Sequence, residues 1–507
     1  MGKITSYPYP PIDRSSAPFI RILPAVILGI IVGNWLHIGM WTAMAGFAVT
    51  TAVTWAVRER EPANWVMTYV TIIMVGVASR TATMPETELP VGERIMMTLC
   101  VTDTPQKSGD QLRTTARILK YKPLNPSGDW QRSGEKVTLY FRGSDVPESG
   151  TKITATGRTN NPTKSSWRTG RRVVWADASG IVTQERQRGF ALRRFASRLQ
   201  AQAYAKLMRL DLTPKTAAIA AAMSIGIPSD IPTELRNDYN RTGTSHLLAV
   251  SGLHVGIVAL LVNVLLSFMS TFRGGHIAKN IIAILVIWLY ALVTGMRPSI
   301  VRAAMMFSGF QASLISSRRI VGSNIFFATA TIMLLLNPDY LTDIGFQLSF
   351  AAVAGIIYLY PPLFDTVKTR LRVINSLLKL FITGLAATVA VTPILSYHFG
   401  SIPIIGVLIS PVLIATASVV MFGTLLWVTF PLAPLNKFFS LVIGSCAHIQ
   451  NSMTEVCASK SWCSLPIRLE VWEVLLVYAA IAMLLTAHSA KSTSRLGKIF
   501  EPTTAEP

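Results

Sequence analysis

The chain has 507 residues, half of them apolar and 14% charged, and its mean hydropathy is +0.43. This balance excludes an ordinary water-soluble protein and indicates a bilayer as the main solvent, crossed by α-helices because unpaired backbone groups cannot face lipid. The formal net charge of +21 favours anionic partners, either lipid headgroups or nucleic acid, although loop Lys and Arg that only set the membrane topology would also produce a surplus.

Residues 1–85 contain three apolar segments, at 18–37, 40–57 and 64–79, and are predicted to form N-terminal transmembrane helices. No small-residue cleavage site follows the first segment, so we expect no cleaved signal peptide. Basic residues precede the first segment and also lie at 58–61, between the second and the third. The positive-inside rule therefore places the amino terminus in the cytoplasm and leads the chain outward after the third helix.

Residues 86–185 are polar and predict a soluble β domain outside the membrane. Its candidate strands, rich in β-branched or alternating residues and separated by turn residues, are 94–102, 111–121, 135–141, 152–157 and 171–180. Five short strands in this length fit a small OB-type barrel, a fold that often holds single-stranded nucleic acid.

The stretch 152–174 within this domain is basic and contains no acid. Cations for phosphates and a ring for base stacking are the two ingredients of single-strand binding. The candidate DNA-binding residues of the barrel are Lys152, Arg158, Lys164, Trp167, Arg168, Arg171 and Arg172. The alternative is a solvated basic face whose Trp lies in the small core or at the headgroups.

Residues 186–240 are predicted to form amphipathic interfacial helices and a linker. In 186–210, apolar residues that include Leu192 and Phe195 share one side of a helix, and arginines surround the other. We expect this helix to lie in the membrane surface with its arginines at the lipid phosphates. In the alternative, the same arginines pass DNA from the barrel to the membrane core.

Residues 241–490 are again mostly apolar and predict a transmembrane channel core, which brings the expected total to about 10 to 13 transmembrane helices. The acids between 241 and 468 are Asp339, Asp343, Asp365 and Glu455 alone. Such a core is not a cation pathway lined with carboxylates. The segment 402–430 is longer than one crossing and contains two prolines, which predicts a broken or re-entrant helix.

The basic tail at 491–507 is expected in the cytoplasm. That orientation places Cys457 and Cys463 on the oxidising side, where the two could pair. The other cysteines, Cys100 and Cys446, are far away in sequence, so the set is too small and too scattered for a disulfide framework or a zinc site.

The cluster at 244–256 brings two histidines and two serines into an apolar stretch. Polar groups at membrane depth cost free energy unless they face a cavity or a partner helix, and two glycines four residues apart would let another helix approach here. One hypothesis places His246 and His254 beside a hydrated path, and another makes them interhelical hydrogen-bonding groups. A third makes Ser251 and His254 a nucleophile and its base, but no acid lies nearby in sequence to orient the imidazole.

The cluster at 294–304 contributes two arginines. Arg297 suits the membrane interface, whereas Arg302 lies about one turn deep in an apolar run and is expected to face inward. An inward cation is either a stepping stone for phosphate or a structural group bonded to backbone carbonyls at a helix end.

Two further clusters, at 336–350 and 392–400, combine a proline with polar groups. In the first, Asp343 is expected to cap a helix that carries Gln347 and Ser349. In the second, a proline kinks a helix shortly before His398.

These clusters, in this order and after an extracytoplasmic β insert, resemble the ComEC family of competence proteins. The segment 246–256 is the most specific match, the segments 297–304, 345–350 and 392–400 reinforce it, and the resemblance covers nearly the whole chain. It implies a channel in the cell inner membrane that passes one DNA strand inward, with the barrel in the periplasm. The implied partners are a periplasmic DNA receptor and a cytoplasmic helicase-like ATPase.

Many members of this family carry a metallo-β-lactamase-like domain after the membrane core, but no His-x-His-x-Asp-His cluster able to hold two metals occurs here. We therefore predict a channel without enzyme activity, metal or cofactor, and a separate nuclease for the second strand. Because the sequence contains no Gly-x-x-x-x-Gly-Lys-Ser/Thr loop, the energy must come from a partner.

The residues expected along the DNA path are His246, Ser251, His254, Arg297, Arg302, Gln347, Ser349 and His398. The alternative function is a membrane-embedded enzyme or a transporter of a lipid-linked substrate that uses His246, Ser251 and His254.

Overall fold

The chain divides into two compact units in its computed structural model. The first comprises residues 1–202 and 255–346, and the second comprises residues 203–254 and 347–507. The structure describes residues 18–36, 38–84, 89–102, 106–108, 111–124, 129–142, 150–160, 172–186, 191–316, 322–369 and 371–499.

Three helices open the first unit, as the apolar segments predicted: α1 (Phe19–Leu36), α2 (Met40–Ala56) and α3 (Ala63–Thr83). Glycine lets α1 and α3 pack backbone to backbone, since a Cβ at Gly29 would overlap the carbonyl oxygen of Ile73. At the end of α3, the Arg80 guanidinium reaches Asp339 at 2.7 Å and ties the helix to a later loop of the same unit.

The β domain follows, and each of its five predicted strands is present. Its strands are β1 (Arg94–Val101), β2 (Gln106–Ser108), β3 (Gln111–Pro123), β4 (Gln131–Arg132), β5 (Lys136–Phe141), β6 (Thr151–Asn160) and β7 (Val173–Arg186). Five of them close a ring in the order β1-β6-β7-β5-β3-β1, antiparallel except between β5 and β7. This closed five-stranded arrangement is an OB-like barrel, as predicted.

Alternation along the strands fills the barrel with apolar side chains. Ile95, Met97, Leu139 and Ile153 lie in one buried cluster and are at most 1% exposed. Their neighbours in sequence point outward, because successive side chains of a strand face opposite sides.

The predicted amphipathic helix at 186–210 is α4 (Ala191–Leu207), since β7 continues to Arg186. Leu192 and Phe195 are 67% and 50% exposed, so the apolar side of this helix is uncovered. Its placement in the membrane surface stays a prediction.

The remaining helices of the first unit are apolar. They are α8 (Gly252–Leu265), whose first turn belongs to the second unit, α9 (Gly275–Val293), α10 (Pro298–Ser316) and α11 (Gly322–Leu336). A Cβ at Gly256 would lie 3.3 Å from the ring of Phe307 in α10, so the nearest neighbour of this glycine is a side chain. The close backbone approach of another helix that the glycine spacing indicated stays a prediction.

The second unit is a helical bundle with a small two-stranded sheet. Its elements are α5 (Pro214–Ser224), α6 (Thr233–Arg241), α7 (Ser245–Leu248), α12 (Ile344–Ala354), α13 (Tyr360–Val367), α14 (Arg372–Phe399), β8 (Ile402–Pro403), α15 (Ile405–Thr429), α16 (Asn436–Ala458), β9 (Ser464–Leu465) and α17 (Val471–Ile499). A π-helical turn at 355–359 joins α12 to α13, and a Cβ at Gly355 would overlap the carbonyl oxygen of Ala386 in α14.

The prediction of a broken or re-entrant helix at 402–430 is wrong. The segment forms a two-residue strand and then the continuous helix α15, which contains Pro411. A proline removes one backbone donor, and in a membrane helix neighbouring helices can satisfy the backbone group that this leaves unpaired. The broken helix lies instead between α7 and α8.

In the part of the chain that the structure describes, seven helices are long and apolar enough to cross a bilayer: α1, α3, α9, the run 344–367, α14, α15 and α17. Shorter apolar helices, α8 and α11, add to these. The fold is a multi-pass helical membrane protein with an inserted barrel, as predicted. The higher total of about 10 to 13 crossings stays a prediction, because α2 has only 17 residues and Arg302 and Gln311 lower the hydropathy of α10.

Candidate functional site

The break between α7 and α8 is built around His254. Helix α7 ends at Leu248, Ala249 is extended (φ −104°, ψ 144°), and α8 begins at Gly252. The Nδ1 atom of His254 accepts a hydrogen bond from the backbone N–H of Ser251 at 3.0 Å. A third-position side chain that reaches back to the N-cap N–H is half of a capping box, here with imidazole in place of Glu or Gln. His254 therefore stabilises the start of the second helix.

The other ring nitrogen of His254 faces the protein interior. The residue is 0% exposed, and its Nε2 atom has no hydrogen-bond partner among the described residues. Because Nδ1 accepts, the neutral ring carries its hydrogen on Nε2. An unpaired buried donor costs about 1–3 kcal/mol, so such a group in a folded protein calls for a functional reason or a polar ligand.

Ser251 and His254 meet, but not as a nucleophile and its base. The imidazole accepts from the backbone N–H of Ser251, and this contact does not involve the serine hydroxyl. A nucleophile pair requires the hydroxyl within hydrogen-bond reach of the base. The geometry thus gives no support to the enzyme alternative.

His246 lies on the other side of the break. It is accessible, its Nδ1 atom lies 3.2 Å from the carbonyl oxygen of Gly243, and it is near enough to His254 to interact electrostatically. Both predicted histidines thus flank the interruption of the helix.

The clusters at 336–350 and 392–400 contact each other. Nε2 of His398, exposed near the end of α14, lies 3.2 Å from Oε1 of Gln347 on α12, and Ser349 is half-buried on the same helix. The predicted cap is confirmed, because Asp343 Oδ1 accepts from the N–H of Phe346 at 2.9 Å.

The two arginines of the cluster at 294–304 belong to the first unit. Helix α9 ends in a left-handed turn with Gly295 at φ 94° and Met296 at φ 52°, and the Met296 N–H donates to the Ala291 carbonyl at 2.9 Å. Arg297 follows, half-buried, just before α10. Arg302 is 7% exposed, so its predicted inward orientation is confirmed.

The second unit also contains buried polar groups that were not among the predicted site residues. Helix α5 is buried on every side from Thr216 to Ser224, although it lies in the stretch interpreted as interfacial helices and linker. The hydroxyls of Ser224 and Thr424 have no hydrogen-bond partner among the described residues, and the Tyr239 hydroxyl lies 3.1 Å from Asn451 Oδ1. The signal was available, because a helix that is apolar on all faces is a buried helix.

The barrel candidates have different surroundings. Lys152 and Arg158 point outward from β6, and the Arg158 Nε donates to the Gly92 carbonyl at 2.9 Å. Arg172 pairs with Glu135 at 3.4 Å and donates to the Leu89 carbonyl, so it is occupied in holding the barrel together. The other four candidates, Lys164, Trp167, Arg168 and Arg171, lie outside the described residues.

The barrel also presents aromatic residues that the basic stretch did not indicate. Tyr140 on β5 and Trp175 on β7 are stacked, with ring centroids 4.6 Å apart and planes inclined by 18°. Only the strand order reveals this pair, since 35 positions separate the two residues in sequence.

The predicted pairing of Cys457 with Cys463 is not formed. Both thiols are free, and the Cys463 thiol donates to the carbonyl oxygen of Arg241 at 3.2 Å. Burial raises the pKa of the Cys463 thiol above its ordinary value, which makes it a poor nucleophile for disulfide exchange.

Fold and clusters together define a multi-pass α-helical membrane protein with an inserted OB-like barrel and a polar break in a core helix. Residues 223–491, more than half of the chain, match the family described as Competence protein. The chain belongs to this family, as its resemblance to ComEC proteins predicted.

Three relatives illustrate the likeness. The chain is 34% identical to ComE operon protein 3 of Bacillus subtilis (strain 168) over 196 residues, which cover 39% of this chain and 24% of that protein. It is 31% identical to YcaI of Escherichia coli (strain K12) over 147 residues, 28% of this chain and 20% of that one. It is 29% identical to a protein of Aquifex aeolicus (strain VF5) over 185 residues, 36% of this chain and 40% of that one. The matches thus span 20–40% of the length of each relative, and no solved structure matches the chain.

Proposed function

We propose that this protein forms the passage through which single-stranded DNA crosses the inner membrane during natural transformation. The observation that carries the proposal is the interrupted helix α7–α8 inside the region matched to the Competence family, with the buried His254 Nε2 unpaired at the interruption. Non-helical backbone at membrane depth is tolerated where it is buried in protein or lines a water-filled cavity.

Charge supports an anionic cargo. A strand of DNA carries one negative charge per nucleotide, and the core between 241 and 468 has only four acids. Arg302 is buried in a helix that is otherwise mostly apolar. A buried cation in such a helix costs free energy, and residues of this kind usually have a function. In this proposal Arg297, Arg302, His246, Ser251, His254, Gln347, Ser349 and His398 guide the strand.

The proposed topology has both termini in the cytoplasm and the barrel in the periplasm. The barrel receives the strand from a periplasmic DNA receptor, and a cytoplasmic helicase-like ATPase draws it inward. The channel residues are not catalytic in this scheme, and a separate nuclease removes the complementary strand.

The test is deletion of the gene in a transformable host, with complementation by the full chain. We expect transformation by a resistance marker to fall to the background of spontaneous mutants and to return on complementation. Labelled DNA should still become protected from external nuclease in the periplasm, because only the inner-membrane step is lost. Unchanged transformation in the deletion strain would remove the proposal.

A further inference from the structure

Five outward side chains form one continuous row across the barrel. Cross-strand pairing places Arg113 (β3) opposite Tyr140 (β5), Tyr140 opposite Trp175 (β7), Trp175 opposite Arg158 (β6), and Arg158 opposite Arg94 (β1). Residues directly opposite each other on neighbouring strands project to the same face, about 5 Å apart. The row therefore runs around the outside of the barrel and sets two rings between cations.

The two rings are packed so that one of them stays accessible to a ligand. Tyr140 is 8% exposed and stacks on Trp175, which keeps 36% of its surface accessible. The Arg113 guanidinium lies over the Tyr140 ring, 5.9 Å from its centroid. Tyr140 thus positions the indole, and Trp175 is the ring that a ligand can reach.

The positive charge of the row is only partly neutralised. Arg94 pairs with Asp177 at 2.7 Å. No described carboxylate forms an ion pair with Arg113 or with Arg158, and Arg158 is held by the Gly92 carbonyl with its charge exposed. A surface with free cations and an accessible ring suits a polymer that carries both phosphates and planar bases.

We propose that this row, Arg113–Tyr140–Trp175–Arg158–Arg94, is a single-strand nucleic-acid site in which a base stacks on Trp175 and the flanking arginines hold adjacent phosphates. The proposal rests on the proposed function for the identity of the strand as incoming DNA. It differs from the basic stretch predicted from sequence, because it shares only Arg158 with that set. The row crosses all five strands of the barrel ring. Two of its residues, Arg113 and Tyr140, lie on β3 and β5, the second and third ring strands in chain order, whose face binds oligonucleotides in OB folds.

The test uses the full chain in nanodiscs of zwitterionic lipid and a fluorescent oligothymidylate of about 16 nucleotides, the upper end of the usual site size. We expect Trp175→Ala to weaken binding about tenfold or more, since one base–aromatic stack is lost. The matched control is Trp130→Ala, which removes another exposed barrel tryptophan, 42% exposed and in contact with Lys120, and should leave binding unchanged. Equal losses in the two variants would overturn the proposal.

Folding defects are separated from loss of the stack by two further variants. Trp175→Phe keeps a ring and should bind nearly as the wild type does, whereas Trp175→Leu keeps only apolar bulk and should bind as weakly as Trp175→Ala. An abasic strand of equal length should bind the wild type and Trp175→Ala equally. Stacking is not the mode of recognition if Trp175→Leu binds oligothymidylate as well as Trp175→Phe does. The same holds if the wild type binds the abasic strand as tightly as oligothymidylate.

Salt dependence distinguishes the arginines from the ring. Arg113→Gln should lower the slope of log affinity against log salt by about 0.7, the value for one phosphate contact on a single strand, while Trp175→Ala should leave that slope unchanged. These binding results are independent of the deletion experiment. If the deletion strain loses transformation but Trp175→Ala binds oligothymidylate as the wild type does, this inference alone is wrong. If the deletion strain transforms normally but Trp175→Ala has lost binding, the proposed function alone is wrong.

Discussion

The barrel and the helical second unit place their polar side chains in opposite ways. In the barrel, Leu139 and Ile153 are buried and Arg158 is exposed. In the second unit, Leu408 is 59% exposed while the Thr424 side chain is fully buried. The barrel is solvated by water and the helices by lipid, so one rule, that each group goes where its surroundings satisfy it, produces both arrangements.

Substitution of a polar residue is therefore expected to be costlier inside the helical unit than on the barrel surface. An outward polar residue of the barrel can exchange one set of water contacts for another, whereas a buried polar residue of the helical unit has only protein around it. Polar groups retained there are therefore better pointers to function than the more numerous charges of the barrel.

The largest effect is expected from filling a close backbone contact of the second unit. A Cβ at Gly406 would lie 2.5 Å from the Thr242 carbonyl oxygen, so Gly406→Ala forces backbone to move. We expect a loss of about 1–3 kcal/mol or more, seen as a lower midpoint of thermal unfolding in detergent and a poor yield of monodisperse protein.

Gly384→Ala on α14 is the matched control, because its Cβ would meet open space. Removing a glycine from a helix interior should stabilise the protein by about 0.5–1 kcal/mol. Similar unfolding midpoints for the two variants would show that the packing at α15 is looser than the structure has it.

A smaller effect is expected from the buried imidazole at the break. His254→Ala leaves the Ser251 N–H without its acceptor, which costs about 1–3 kcal/mol, and transformation should fall sharply. His254→Gln restores an acceptor at the third helical position and should recover most of the thermal stability. The flexible Gln amide does not hold its N–H donors where the rigid imidazole ring directs its Nε2–H, so transformation should remain low.

A surface variant of the barrel is the comparison for the two His254 variants. Lys122→Gln changes an outward cation of β3 and should alter stability by less than about 0.5 kcal/mol. Full recovery of transformation by His254→Gln would reduce the role of the imidazole to capping the helix.

The smallest effect is expected from the surface ion cluster of the first unit. Arg80 and Asp339 lie 2.7 Å apart with side chains 20% and 48% exposed, and Asp339 also lies 3.7 Å from Lys136 of the barrel. A double-mutant cycle with Arg80→Gln and Asp339→Asn should give a coupling of about 0.2–1 kcal/mol that declines with added salt. A coupling of several kcal/mol that is insensitive to salt would place this cluster with the buried polar groups instead.

Sequence patterns alone determined the class of fold, the barrel strands and the positions of the polar clusters. Period-2 alternation and long apolar runs are local properties of the chain, so the five strands and helices such as α1 and α3 were predicted directly. The cap at Asp343 and the inward Arg302 followed from the same local rules.

Tertiary structure alone decided which of these residues meet. The stacking of Tyr140 on Trp175 depends on the parallel pairing of β5 with β7, and the contact of Gln347 with His398 depends on the packing of α12 against α14. The break at 249–251 and the continuity of α15 through Pro411 also lay beyond local rules. A proline weakens a helix by about 3 kcal/mol or more, and packing against neighbouring helices decides whether the helix survives. Local chemistry sets what each segment prefers, and the non-local contacts that fold it decide which preference is realised.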